Sequence, residues 1–160
     1  MSRSGIEIIA RALIRTGNSV LLCRNVRKGY RFLPGGHVEL GESAAAAVAR
    51  ELHEEAGLEV RVGDLLLVSE ALFEQGGKSR HEINLVFHVE LPHQSLLAYP
   101  TPPISREPKI AFDWVPEPEL GTANFLPASV RDWVRSRLAL SAQTHLFGSG
   151  WISEGFSSEE

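Results

Sequence analysis

The run SAAAAVARELHEEA, Ser43–Ala56, constrains this chain more than any other segment. Serine is a favoured helix N-cap, alanine is the strongest helix former, and Gly57 beyond the run supplies a left-handed exit. The spacing therefore predicts a helix from Ser43 to about Ala56. Ala46 is not the acidic partner of a capping box, so the start rests on the serine alone. At about 100° per residue, Ala45, Val48, Ala49, Leu52 and Ala56 form one apolar stripe, and Glu51, Glu54 and Glu55 fall on a neighbouring arc. Like charges at i, i+3 and i+4 repel by a few tenths of a kcal/mol per pair. Carboxylates are also disfavoured in the last helical turn, where the dipole attracts cations. Only Arg50 stands beside them to compensate. Local rules are broken most often at functional sites. A carboxylate cluster on a rigid element is what a hard cation such as Mg²⁺ requires.

The rest of the sequence bounds what such a helix can serve. With 160 residues, 43% hydrophobic and 22% charged, the chain suits one soluble domain of ordinary size. No window approaches the roughly 18 uninterrupted apolar residues of a membrane span. The N-terminal MSRSGIEIIARALIR has scattered charges and reads as the lead-in to a strand rather than a signal peptide. One cysteine, Cys23, excludes an intrachain disulfide, so a cytoplasmic location is expected. A net charge of −4 argues against a nucleic-acid backbone as partner. An anionic substrate would then need a bound cation to offset repulsion.

Ile6 to Ile14 and Ser19 to Asn25 are short apolar runs joined by the turn residues RTGN, and they predict a hairpin. LEVRVGDLLLVSEALFE predicts one or two strands interrupted at Gly63-Asp64, and His81 to Leu91 predicts another. PHQSLLAYPTPPISREP is a proline-rich surface loop of the kind that lines sites, and KIAFDWVP is a further strand. Val130, Trp133, Val134 and Leu138 have the spacing of an amphipathic closing helix. The expected organisation is a single domain over residues 1–140 and a Gly/Ser-rich tail over 141–160. That tail is either flexible or docked through Phe147, Trp151 and Phe156 on the body or on a partner subunit.

Around the acidic helix the spacing is Gly36, five residues, Glu42, seven residues, then Arg50-Glu51-Leu52-His53-Glu54-Glu55-Ala56-Gly57-Leu58. This resembles the signature of the Nudix hydrolase family, of which every fixed position is met. At residue frequencies near 6% a chance match somewhere in the chain has a probability of roughly 10⁻⁷, so the motif is specific. The resemblance implies an α+β fold, a Nudix-type α/β/α sandwich whose mixed central sheet is flanked by the motif helix and a C-terminal helix. It implies Mg²⁺ or Mn²⁺ held by Glu51, Glu54 and Glu55 and by a backbone carbonyl at Gly36 or Gly35. Arg50 would orient Glu51 or Glu42, Glu42 would hold the loop at the helix start, and Leu52 and Leu58 would be core. The implied activity is hydrolysis of a phosphoanhydride in a nucleoside diphosphate linked to another moiety: a nucleotide sugar, ADP-ribose, a dinucleoside polyphosphate or a modified nucleoside triphosphate. The alternative is a nucleotide-sensing module that keeps the fold without catalysis. Homodimers are common in this fold.

A carboxylate must accept a proton from the attacking water. Glu51 or Glu54 could do so within the motif. Glu70, Glu74, Glu82, Glu107 and Asp113 are candidates outside it, with Glu107 first because it lies in the proline-rich loop shortly before Trp114. Arg24, Arg27, Lys28 and Arg31 form a candidate phosphate clamp, His37 a candidate phosphate contact and Tyr30 a candidate ring to stack on a base. The histidines lack zinc-ligand spacing.

Overall fold

The computed structural model describes residues 5–141 and 150–158. Strands β1 (Glu7–Leu13), β2 (Arg15–Thr16) and β3 (Ser19–Asn25) are followed by two short extended pieces, β4 (Arg31–Phe32) and β5 (Gly35–His37). Helix α1 (Ala44–Ala56) leads into a long antiparallel pair, β6 (Arg61–Gln75) and β7 (Lys78–Glu90). A short helix, α2 (His93–Leu97), opens the proline-rich connection to β8 (Ile110–Pro116). A 3-10 turn (Glu117–Thr122), helix α3 (Ala128–Ser141) and strand β9 (Gly150–Ser158) follow.

The strands form two sheets. One is mixed, in the order β5-β1-β7-β6-β9, with β1 parallel to β7 and β6 parallel to β9. The other is antiparallel, with β3 paired to β8 along its length and to β2 and β4 on its other side. Strand periodicity sorts the side chains onto two faces. Ala10 and Ala12 of β1 and Leu21 and Cys23 of β3 pack with Ala47, Val48 and Leu52 of α1. Leu13, Val20, Leu22, Leu67 and Val86 pack with Val130, Trp133, Val134 and Leu138 of α3. Val48, Leu52 and Val134 are fully buried, each contributing about 1.5–3 kcal/mol over exposure. The sheets therefore lie between α1 and α3, the mixed α/β architecture expected. Alanine on both sides of the β1–α1 contact lets the helix backbone approach the sheet, which brings its carboxylates within reach of β5.

One local expectation is revised, and two segments left open by the sequence take a definite path. β1 and β3 do not form one hairpin: β1 pairs with β5 and β7, and only Arg15–Thr16 fold back on β3. Apolar residues buried on both faces of β1 suit a central strand, which needs a partner on each side. The Gly63-Asp64 interruption is absorbed as a register shift between Val62 and Leu65 inside one continuous β6, the usual consequence of an extra residue in a strand. Within the tail, for which a flexible and a docked form were both open, Gly150–Ser158 runs parallel to β6 from Leu67↔Gly150 to Glu74↔Ser158. An open β6 edge offers unpaired backbone groups to any extended segment, and its composition need not be apolar. Phe147 lies outside the described residues. Among the described residues no helix is long and apolar enough to cross a membrane.

Candidate active site

α1 begins and ends as its sequence dictates. Ser43 Oγ accepts the Ala46 N–H at 3.1 Å, and Gly57 sits at φ 65° with its N–H bonded to His53 O at 2.9 Å. Its inward face differs from the expected stripe. Ala47, Val48 and Leu52 are buried, whereas Ala45, Ala49 and Ala56 are only partly so. The buried arc is thus centred nearer Ala44, and the Glu51 and Glu55 positions lie inside it at 100° per residue. Glu51 is 17% exposed and Glu54 57%. On the arc the three acids share, Glu51 and Glu55 point inward and Glu54 stands on the flank.

Glu51 fits because β5 offers no side chain beneath it. Gly36 pairs with Ala10, which places it on the α1 side of the sheet. A Cβ built on Gly36 would lie 2.4–2.7 Å from the three terminal atoms of the Glu51 carboxyl group. At Gly35, with φ 141°, a Cβ would meet Ala10 O at 2.0 Å. Gly35 is required by the backbone against it and by its φ, while Gly36 leaves the space that the Glu51 carboxyl group takes.

Arg50 organises the acids. Its Nε and Nη2 bond the Glu42 carboxylate at 3.1 and 2.8 Å, a fork-on-fork pair. Its Nη1 bonds Glu51 at 3.0 Å and Glu54 at 3.2 Å, and Nη2 also reaches His37 O at 3.0 Å. All five guanidinium N–H groups are therefore engaged, and the surrounding carboxylates push the arginine pKa upward. Glu42, bonded by Arg50 and by the Glu39 N–H at 2.9 Å, is held below the usual carboxylate range. One side chain thereby ties the β5 loop, the approach to the helix and the acidic face together.

Glu55 is left out of this network. Its Oε2 is buried with no hydrogen-bond partner. Burial first, and then the charge of Glu51, push its carboxyl pKa up to about 7; the nearby Arg11 guanidinium acts in the opposite direction. Among the described residues no group of three or more His, Cys, Asp or Glu side chains stands arranged to hold a metal ion as it is. The oxygen donors nevertheless suit a hard divalent cation: a buried carboxylate oxygen without a partner, a second carboxylate seated on a glycine, and a third beside it. An unsatisfied buried acid is costly unless a cation or proton meets it.

The proline-rich connection folds against the end of α1. The Arg106 N–H bonds Glu55 O at 2.6 Å, and the Glu107 charge lies close enough to raise the Glu55 pKa. Asp113 stands apart. Burial pushes its pKa up, but bonds from Arg24 Nε and Arg31 Nε, both at 2.9 Å, outweigh that and hold it below the usual range. Glu70 is bonded to His81 at 2.9 Å and Glu82 to Asn84 at 3.4 Å. Glu74 pairs through its backbone with Ser79 in the outer part of β6–β7.

The expected phosphate clamp is divided. Arg24 and Arg31 share Asp113, and Arg31 also bonds Ala123 O at 2.8 Å. Arg27 and Lys28 sit exposed on a turn whose N–H groups bond Asn25 Oδ1 at 3.1 and 2.8 Å. The Tyr30 hydroxyl accepts from Asn25 Nδ2 at 3.3 Å, and its ring packs on Phe32. His37 Nε2 lies 3.0 Å from Glu7, which also pairs with Arg80 at 2.7 Å.

A polar sheet face was missed in the sequence. Register places His37, Ile9, Asn84 and Ser69 in one row, and Arg11, Val86 and Leu67 in the next, on the face away from α1. Ser69 is fully buried with Oγ unpartnered, and Asn84 is 4% exposed and accepts from Arg11 Nε at 3.3 Å. Arg11 also bonds Leu33 O at 3.2 Å and lies over the Phe32 ring. The legible signal was Arg80, Glu82 and Asn84 alternating with Ile83, Leu85 and Phe87, which marks a strand polar on one face.

Comparison with known proteins agrees with this fold and with the motif it carries. The NUDIX domain model matches residues 7–136. A Mycobacterium tuberculosis protein named "Putative 8-oxo-dGTP diphosphatase 2" is 32% identical over 142 residues, 79% of this chain and 84% of that protein. An ADP-ribose pyrophosphatase of Methanocaldococcus jannaschii is 34% identical over 110 residues, 63% of this chain and 64% of that protein. The crystal structure of the MutT protein of Methanosarcina mazei superposes with a TM-score of 0.64 at 26% identity, covering 90% of this chain and 100% of that one. A NUDIX hydrolase of Nitrosomonas europaea shares the fold with a TM-score of 0.65 at 20% identity, covering 92% and 79%. With its signature intact, its helix seated on the glycine strand and its similarity running through most of its length, the chain belongs to the Nudix hydrolase family.

Proposed function

We propose that this protein hydrolyses a phosphoanhydride bond in a nucleoside diphosphate linked to another moiety, with Mg²⁺ or Mn²⁺ as cofactor. The observation that carries the proposal is the Gly36–Glu51–Arg50 arrangement beside a buried Glu55 oxygen that has no partner. Glu51 and Glu55 would hold the ion, with Glu54 and the backbone at Gly36 contributing. Bound there, a divalent ion supplies charge neutralisation at the phosphoryl oxygens and acidifies a water. Arg50 keeps Glu51 and Glu54 from turning to solvent and anchors the glycine strand through His37 O. Attack of water on phosphorus breaks the bridging P–O bond and releases one proton. Glu107 is the carboxylate assigned to accept it, standing near Glu55 with only the Lys109 N–H, at 3.3 Å, on its Oε1. Asp113 is unsuited, since two arginines hold it in its weakly basic, ionised form.

The remaining part of the substrate would lie along the polar sheet face of Asn84, Ser69 and Arg11, where buried donors and acceptors offer discrimination. The names of the relatives make 8-oxo-dGTP and ADP-ribose the first compounds to try, followed by nucleotide sugars and dinucleoside polyphosphates. The test is release of phosphate or nucleotide monophosphate across such a panel, with and without Mg²⁺ or Mn²⁺. Metal-dependent turnover that disappears in Glu55→Gln supports the proposal. Turnover unchanged in that variant overturns the site, and tight nucleotide binding without turnover would mark a sensing module instead.

A further inference from the structure

Arg106, in the connection between β7 and β8, ties that connection to the end of α1. Its backbone N–H bonds Glu55 O at 2.6 Å, and its guanidinium lies directly over Gly57. A Cβ on Gly57 would stand 2.4 Å from Arg106 Nη2 and 2.7 Å from Cζ. Gly57 is demanded by its left-handed φ of 65°, and its missing side chain leaves the room that the guanidinium takes. The position is electrostatically apt, since a helix C-terminus attracts cations and this one carries three glutamates. The next residue is held rigidly to it. Ser105 Oγ donates to Glu107 O at 2.8 Å and accepts the Glu107 N–H at 3.1 Å, while the Ile110 N–H bonds Glu107 O at 3.2 Å. Arg106 and Glu107 consequently move as one piece.

We propose that Arg106 is a positioning residue for the reaction: seated on Gly57, it docks the loop on the end of α1 and sets the Glu107 carboxylate opposite the Glu51–Glu55 pair. The inference rests on the hydrolytic function above and on Glu107 taking the proton. Arg106 acts through Glu107, so losses caused by the two residues should not add. Misplacing a reacting group by an ångström can cost on the order of 100-fold in rate.

The experiment measures kcat and KM with the best substrate of the panel for wild type, Arg106→Ala, Arg106→Lys, Glu107→Gln and the double variant Arg106→Ala/Glu107→Gln. Arg106→Ala should lower kcat about 10- to 100-fold with KM changed less than about threefold, and Arg106→Lys should recover part of the loss. The double variant should be no slower than Glu107→Gln. Multiplying losses, full activity in Arg106→Ala or Glu107→Gln, or a KM effect without a kcat effect would each overturn the proposal. Hydrogen exchange of residues 104–109 gives a readout independent of turnover. Arg106→Ala should speed it at least about tenfold, while unchanged protection would overturn the docking even if no panel compound is hydrolysed.

Discussion

Two charge clusters in this molecule are built with opposite arithmetic. Around Arg50 one guanidinium serves three carboxylates, Glu42, Glu51 and Glu54, with Glu55 beyond its reach. Around Asp113 one carboxylate serves two guanidiniums, those of Arg24 and Arg31. The second cluster ties β3, β4, β8 and the Ala123 backbone together and leaves its acid satisfied. The first leaves a surplus of negative charge pointing at a glycine strand. The Asp113 cluster leaves its acid paired, whereas the carboxylates around Arg50 outnumber their cation three to one. Repulsive arrangements of this kind persist where they serve a site.

The comparison breaks most visibly at Arg50. Arg50→Lys keeps the charge but cannot make five N–H bonds in a plane. Metal-dependent kcat should fall about 100-fold and stability by about 2 kcal/mol; steady-state kinetics and urea unfolding check both. If activity survived, the guanidinium would be structural like those at Asp113.

The next effect is on stability against pH in metal-free protein. The Glu55 pKa is raised to about 7 in the folded state, so between its unfolded value and pH 7 the native state binds more protons than the unfolded chain. Stability from this group is therefore full below about pH 4.5 and declines as pH rises through 7. Allowing for partial screening, the decline should be roughly 1–2 kcal/mol. Melting temperature followed from pH 5 to 8 should show it, Glu55→Gln should flatten that component, and Mg²⁺ or Mn²⁺ at pH 8 should restore the loss. A slope identical in Glu55→Gln would deny the buried acid its role.

Asp113→Asn tests the opposite cluster. Removing its charge leaves two partly exposed arginines together and should cost about 1–2 kcal/mol in urea unfolding, with kcat/KM within about threefold of wild type. A much larger kinetic loss would place Asp113 in the reaction. The smallest change is expected for Arg27→Ala with Lys28→Ala, on the exposed turn, where KM should move less than about twofold. A tenfold rise would show that the turn folds over the phosphates after all.

The motif helix was almost wholly legible. Its cap at Ser43 and its exit at Gly57 follow from short-range rules that act within a few residues of chain. The closing helix followed equally from the spacing of Val130, Trp133, Val134 and Leu138. What failed was whatever depended on distant partners. The face of α1 was placed from apolar residues alone, yet the close Ala10–Ala47 layer turns Glu51 and Glu55 inward. Arg24 and Arg31 converge on Asp113, from a strand more than eighty residues later, only through the pairing of β3 with β8. Arg11, Asn84 and Ser69 share a face only through the register of three strands.

By itself, the sequence determined the helix, its limits, the family signature and the surplus of acids that calls for a cation, because spacing along one helix is set by local geometry. Tertiary structure decided which acid is left unpartnered, which arginines share a carboxylate and which loop reaches the end of α1. Those outcomes depend on sheet register and on packing distances of a few ångströms, and neither is encoded in any one segment.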